Sequence, residues 1–121
     1  GVICKDNVFI GPSVVFTNVM NPRSFIERKE EFKKTLLEEG CSIGANSTII
    51  CGNKVGKFSF VGAGSVVNRD INDFELVVGN PIRNIGWVNL EGEKLNFSKK
   101  KTIESNGKMY NLSNNKVKII E

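Results

Sequence analysis

The sequence predicts an all-β fold: a short parallel solenoid of six-residue repeats, interrupted by one inserted loop and followed by a small antiparallel β appendage. Three observations carry that expectation. Thirteen Val and twelve Ile stand against six Leu and two Ala, the reverse of a helix bundle's preference. Fifteen Asn and twelve Gly supply the tight and left-handed corners that many short strands need. An aliphatic residue recurs every six positions, at Leu37, Ile43, Ile49, Val55, Val61 and Val67, a period that fits neither a helix nor a plain alternating strand.

At 121 residues the chain has room for one domain. Its formal charge of +4 is uneven, with ten basic and nine acidic side chains in residues 1–87 and seven against four in 88–121. The absence of His removes the commonest general base, the usual Ser-His and Cys-His pairs and any three-His zinc site. Cys4, Cys41 and Cys51 are odd in number and share no metal-ligand spacing, so neither a disulfide framework nor a metal is expected and a reducing cytoplasm fits best. No apolar run approaches the ~20 residues that cross a bilayer, so no membrane insertion is expected. Lys99-Lys100-Lys101 has no aromatic stacking pattern beside it, and nucleic acid is not an expected partner.

The first element from the N-terminus is a weaker run in the same style, Cys4, Ile10 and Phe16, with Gly11 after Ile10. The chain opens inside this run, so further N-terminal coils are expected ahead of it. From Phe16 to Leu37 is 21 residues, three more than a multiple of six, so a segment loops out at about residues 18–36. Inside it, Ser24 with Glu27 forms a capping box that favours a helix over 24–39, whereas the apolar spacing of Phe25, Phe32, Leu36 and Leu37 is only partly helical.

The main run follows. Gly44, Gly56 and Gly62 come directly after three of its aliphatic residues, and small Cys41, Ser47, Ser59 and Ser65 lie four beyond. Three six-residue sides close a coil of eighteen, which stacks Leu37 over Val55, Ile43 over Val61 and Ile49 over Val67 in parallel ladders about 4.8 Å apart. The first coil leaves an edge that needs another chain or further residues. After Asp70 the hexads end, and 74–78 reads as a strand entering the Gly79-Asn80-Pro81 turn. Residues 1–87 thus form the solenoid and 88–121 the appendage, with strands at 94–97, 102–105, 108–112 and 117–120 and a type I′ hairpin turn at Asn106-Gly107. The Gly62-Ala63-Gly64 turn continues the six-residue rhythm and is not a dinucleotide fingerprint.

The stretches Ile43-Gly44-Ala45-Asn46, Val61-Gly62-Ala63-Gly64-Ser65-Val66-Val67 and Gly79-Asn80-Pro81-Ile82-Arg83 resemble the hexapeptide-repeat acyltransferases. The resemblance implies a left-handed parallel β-helix, a hand that general crossover rules would not favour, together with a homotrimer and acetyl-CoA as donor. The stretch Gly11-Pro12-Ser13 through Phe16-Thr17-Asn18-Val19-Met20-Asn21-Pro22-Arg23-Ser24 is similar to the branch that N-acetylates the 3-amino group of nucleotide-linked sugars for bacterial surface polysaccharides. It implies that the insert is an extended loop reaching over a neighbouring subunit. Some relatives carry a cysteine pair in the tail region; Ser105 and its neighbours contain none, and no metal is carried across. A carbonic anhydrase of this fold is excluded by the lack of His.

Residues eighteen apart lie one above another, so Ala45, Ala63 and Pro81 line up as a strip along the coils. Small side chains there leave room for a pantetheine arm against the backbone, and they also suit tight corners with no ligand at all. Arg69 and Arg83 flank the strip, either as donors to the coenzyme's phosphates or as solvated surface residues. The resemblance implies the coenzyme role for the basic residue after Val67-Asn68 and for the arginine of the Asn-Pro-x-Arg turn, and Asn68 is grouped with them. Asn18 stands where the coil opens into the insert, and its amide can orient the amine or the thioester oxygen. Asn21 and Arg23 are candidates for holding the sugar or its diphosphate, with Lys29 adding charge; the alternative is an Asn-Pro turn closed by an Asx hydrogen bond.

The expected function is an acetyl-CoA-dependent N-acetyltransferase acting on a nucleotide-linked amino sugar. Without His, a neutral 3-amino group attacks the thioester directly, aided by proximity and oxyanion stabilisation. An O-acetyltransferase of the same fold needs stronger base catalysis. A catalytically silent or truncated trimerisation module is the rival from outside enzymology.

Overall fold

The computed structural model describes residues 1–27 and 33–120. Nine two- or three-residue strands form three coils. Coil one holds β1 (Val2–Cys4), β2 (Phe9–Ile10) and β3 (Val15–Phe16); coil two holds β4 (Thr35–Leu37), β5 (Ser42–Ile43) and β6 (Thr48–Ile49); coil three holds β7 (Lys54–Val55), β8 (Phe60–Val61) and β9 (Val66–Val67). They stack into three parallel sheets, β1-β4-β7, β2-β5-β8 and β3-β6-β9, the sides of a prism. The expected ladders form: Leu37 pairs with Val55, Ile43 with Val61 and Ile49 with Val67. Above them Cys4, Ile10 and Phe16 pair with Leu37, Ile43 and Ile49.

Packing explains the hexad. The six aliphatic residues of the main run point inward and are fully buried. The small residue four beyond turns its side chain into the corner: Ser59 Oγ donates to Gly56 O at 2.7 Å and Ser65 Oγ to Gly62 O at 2.6 Å. A larger side chain has no room there, and an apolar one leaves that carbonyl without this partner. In the first coil Ile10 is 40% exposed, whereas its ladder partner Ile43 is at 0%.

The last coil is shorter than the rest. Val61 pairs with Val77 and Val55 bridges Ile71, sixteen residues on in each case instead of eighteen. Side-chain carboxylates take over where the regular carbonyl ladder stops: Lys54 N–H donates to Asp70 Oδ1 and Lys57 N–H to Asp73 Oδ1, both at 2.8 Å.

The chain then reverses. Strand β10 (Glu75–Val78) lies parallel to β8 and antiparallel to β11 (Arg83–Val88), which pairs in turn with β12 (Lys94–Leu95). Strand β11 runs through the expected boundary at residue 87. Strands β13 (Thr102–Ser105), β14 (Lys108–Ser113) and β15 (Lys116–Ile119) form the antiparallel appendage. The Asn106-Gly107 turn has φ of 51° and 83°, the two left-handed residues of a type I′ hairpin, and Asn114-Asn115 repeats the device at 52° and 57°. Phe74, Trp87, Leu95, Phe97, Tyr110 and Val117 make a second core. Phe74 joins it to the prism, stacking on Phe58 and meeting Tyr110 edge-on, each at 5.7 Å between ring centroids.

The helix favoured locally over 24–39 is absent among the described residues. Ile26 N–H donates to Arg23 O at 3.1 Å in a tight turn, and Leu36 and Leu37 belong to β4, whose ladder outweighs a local capping signal. Residues 28–32 of that expectation lie outside the described residues. No helix among the described residues is long and apolar enough to cross a membrane.

Candidate active site

Two edges of the prism carry the candidate residues, one on each border of the β3-β6-β9 side. The first edge follows β2, β5, β8 and β10. There Gly11, Gly44 and Gly62 each donate N–H at 2.8 Å to a carbonyl of the next coil, of Ile43, Val61 and Val77. The coils approach so closely that a Cβ on Gly44 would stand 2.5 Å from Ala63 N, and one on Gly11 2.7 Å from Ala45 N. Only glycine fits at those positions. The register brings Ala45 over Ala63, and Gly64 N–H donates to Ala45 O at 2.8 Å. A Cβ on Gly64 would meet nothing within 4 Å, so the edge is open to the outside here.

Pro81 does not continue the strip in register. The shortened coil puts Gly79 at the matching offset of sixteen from Ala63, and Gly79 is bonded beside Ser65 and Val66, its N–H to Ser65 Oγ at 3.2 Å and its carbonyl to Val66 N–H at 2.9 Å. Pro81 is exposed two residues further round the same turn. Arg83 stays at this edge, with Nη1 3.8 Å from where a Gly79 Cβ would be. The first edge thus brings together Ala45, Ala63, Gly79 and the exposed Arg83.

The second edge follows β3, β6 and β9. Thr17 N–H donates to Ile49 O at 3.1 Å and Thr17 Oγ1 accepts from Cys51 N–H at 3.0 Å, which anchors the residue before Asn18. The insert leaves and returns here: Lys33 N–H donates to Asn18 O at 3.0 Å. Asn18, Asn21 and Arg23 are all exposed, and Lys29 lies outside the described residues. Asn68 and Arg69 occupy the same edge in coil three, away from the alanine strip. From Ala45 to Ile50 across the intervening side is at most about 18 Å of chain.

Arg69 is engaged. Its Nη2 donates to Glu75 Oε2 at 2.9 Å and its Nη1 to Glu75 Oε1 at 3.3 Å, with Nη1 also donating to Asp70 O at 2.9 Å. Asn72 N–H and Asn84 Nδ2 complete the shell of the buried carboxylate at 2.9 and 3.0 Å. Burial alone pushes Glu75 upward, but these donors and the Arg69 charge outweigh it and hold the group below the usual carboxylate range. Beside the pair a cleft of about 390 Å³ opens between Asn84, Trp87 and Asn115. Glu75 was not singled out from sequence, although a carboxylate inside the aliphatic strand Glu75-Leu76-Val77-Val78 is a signal that a buried partner waits for it.

Cys41 and Cys51 are buried, and burial, with Cys4 and Glu38 nearby, pushes the Cys41 thiol up to about 12, so it stays protonated at neutral pH.

No family model matches the sequence. A dTDP-3-amino-3,6-dideoxy-alpha-D-galactopyranose 3-N-acetyltransferase of Aneurinibacillus thermoaerophilus is 47% identical over 81 residues, covering 67% of this chain and 42% of that protein. Among solved structures, a galactoside acetyltransferase in complex with coenzyme A matches with a TM-score of 0.65 at 30% identity, over 86% of this chain and 53% of the other. A hexapeptide-repeat acetyltransferase of Vibrio cholerae O1 biovar eltor, complexed with acetyl coenzyme A, matches at 0.61 and 30%, over 73% and 54%. The chain spans about half the length, or less, of these relatives. Its three-sided coil is the left-handed parallel β-helix. The chain belongs to the hexapeptide-repeat acyltransferases.

Proposed function

We propose that this chain is the β-helical part of an acetyl-CoA-dependent N-acetyltransferase that modifies the 3-amino group of a nucleotide-linked sugar, in the cytoplasm, for bacterial lipopolysaccharide or related polysaccharide. The observation that carries this reading is the 47% identity to a 3-N-acetyltransferase of a dTDP-linked 3-amino sugar. The open, small-residue first edge supports it, because a pantetheine arm needs a shallow track with backbone groups within reach. Ala45 and Ala63 line that track, Pro81 closes its turn, and Arg83 offers guanidinium donors to the coenzyme's phosphates. Asn68 and Arg69 have the weaker claim, since they lie on the other edge and Arg69 is paired with Glu75.

The reaction needs no metal and no protein base. The neutral amine attacks the acetyl carbon, a C–N bond forms, the C–S bond breaks, and the amine's proton leaves with the departing thiolate or to solvent. Asn18 donates its side-chain N–H to the developing oxyanion or orients the amine, while Asn21, Arg23 and Lys29 hold the acceptor. Acetyl donor and acceptor meet between chains of a homotrimer, because one chain carries the two candidate sets on opposite borders of a side; sedimentation at three times the chain mass is expected.

Acetylation of a hydroxyl is the second reading, suggested by the galactoside acetyltransferase likeness. It is disfavoured because this chain has no His to deprotonate an alcohol. The test is thiol release from acetyl-CoA with a panel of nucleotide-linked 3-amino, 4-amino and unsubstituted sugars. Release with the 3-amino acceptors alone is the expected result; release with the unsubstituted sugar would favour O-acetylation.

A further inference from the structure

The neck of the insert carries a cation, Lys33, without an acid partner among the described residues. Lys33 N–H donates to Asn18 O at 3.0 Å, and one residue on, Lys34 O accepts from Gly52 N–H at 3.0 Å. These bonds hold the Lys33 backbone against both Asn18 and the coil below. The side-chain stem then lies over Gly52, where an added Cβ would stand 3.6 Å from Lys33 Cβ and 3.8 Å from its Cγ. Lys33 is exposed, and no carboxylate among the described residues bridges to it. Arg69, another cation on this edge, is already paired with Glu75, while Arg23 and Lys34 are exposed there as well.

We propose that Lys33 is a specificity-determining residue for the acceptor, its ammonium contacting the diphosphate that joins the nucleotide to the sugar. The proposal rests on the N-acetyltransferase reading above. The amine on C3 and the diphosphate on C1 of a pyranose are separated by about one ring width, comparable with the ~4.8 Å step between coils. An acceptor whose amine is oriented at Asn18 therefore brings its diphosphate within reach of a four-carbon stem that begins beside Asn18 and lies over the next coil. An ammonium meets phosphate oxygens through charge-assisted hydrogen bonds without needing a fixed angle. Exposed lysines are ordinary; the backbone tie to Asn18 and the bare glycine beneath the stem set this one apart.

The experiment titrates dTDP into the parent, K33M and K33R by calorimetry, and then measures steady-state kinetics with a dTDP-linked 3-amino sugar and with the free amino sugar. K33M is expected to weaken dTDP about tenfold to hundredfold, with the KM of the linked acceptor rising in step, while kcat and the KM for acetyl-CoA hold. K33R is expected to stay within about threefold of the parent. The free amino sugar, which has no diphosphate, is expected to react equally with parent and K33M. Unchanged dTDP affinity in K33M, or an equal loss on the free sugar, overturns the role of Lys33 and leaves the N-acetyltransferase reading standing. A parent that acetylates only acceptors without a nucleotide overturns both.

Discussion

Arg69 and Glu75 lock the end of the β-helix: a half-exposed guanidinium grips a carboxylate whose side chain is 4% exposed, with the nearest N···O distance 2.9 Å. The pair joins the corner after β9 to strand β10, across the shortened coil. Through Asn84 the same carboxylate holds β11. Removing the charge leaves Arg69 and two further donors competing for a weaker acceptor.

Glu75→Gln is therefore expected to lower stability by about 1–3 kcal/mol at pH 7. The carboxyl is held below its ordinary value in the folded state, so its contribution is complete above the unfolded value near 4.3 and disappears as pH falls through the folded one. Thermal melts of parent and variant from pH 7 to pH 3 check this. The gap in Tm is expected to be full at neutral pH and to close at the acid end; a gap that persists unchanged in acid contradicts the ion pair as its source.

Val61→Asp is expected to be far more damaging than Lys57→Asp. Val61 is fully buried between Ile43 and Val77, whereas Lys57 is an exposed corner residue. An unpaired carboxylate in that ladder costs upwards of about 4 kcal/mol, and the surface change about 0.5. Denaturant melts give both values, and equal losses would mean that the inward positions are misassigned.

The inward ladder was legible because its signal is repetitive: each coil repeats the same steric demand, so Leu37, Ile43, Ile49 and their partners reinforce one another along the sequence. The hairpin at Asn106-Gly107 was legible from two residues whose backbone preference is strong. The shortening after Val67 was not, since Ile71 faces inward four residues on and a single irregular step has no period to betray it. That step is what moved Pro81 out of line with Ala63. Lys33 left no trace in the sequence, because its place depends on where a fifteen-residue excess of chain returns, a point held by the bonds from Lys33 to Asn18 and from Gly52 to Lys34.

Ala63→Trp is expected to weaken acetyl-CoA by at least about tenfold while leaving the fold intact. Ala63 is exposed on the open first edge, so an indole fills the track from outside without entering the core. Calorimetric titration of parent and variant, with a thermal melt as control, decides it. Unchanged affinity would place the coenzyme elsewhere on the prism.

The proposed nucleophile is the acceptor's own neutral amine, with Asn18 as the orienting and oxyanion-binding group and no titrating protein base, in a sequence that contains no His. Asn18→Ala is expected to lower turnover by about 10- to 1000-fold without moving the pH midpoint, and Asn18→Asp to be at least as harmful because a carboxylate repels the developing oxyanion. The direct measurement is the pH–rate profile of the parent with two nucleotide-linked amino sugars whose amines differ in pKa. Activity is expected to rise with pH and its midpoint to follow the amine from one acceptor to the other; a midpoint that stays fixed when the acceptor changes would assign the titration to a protein group and contradict the claim.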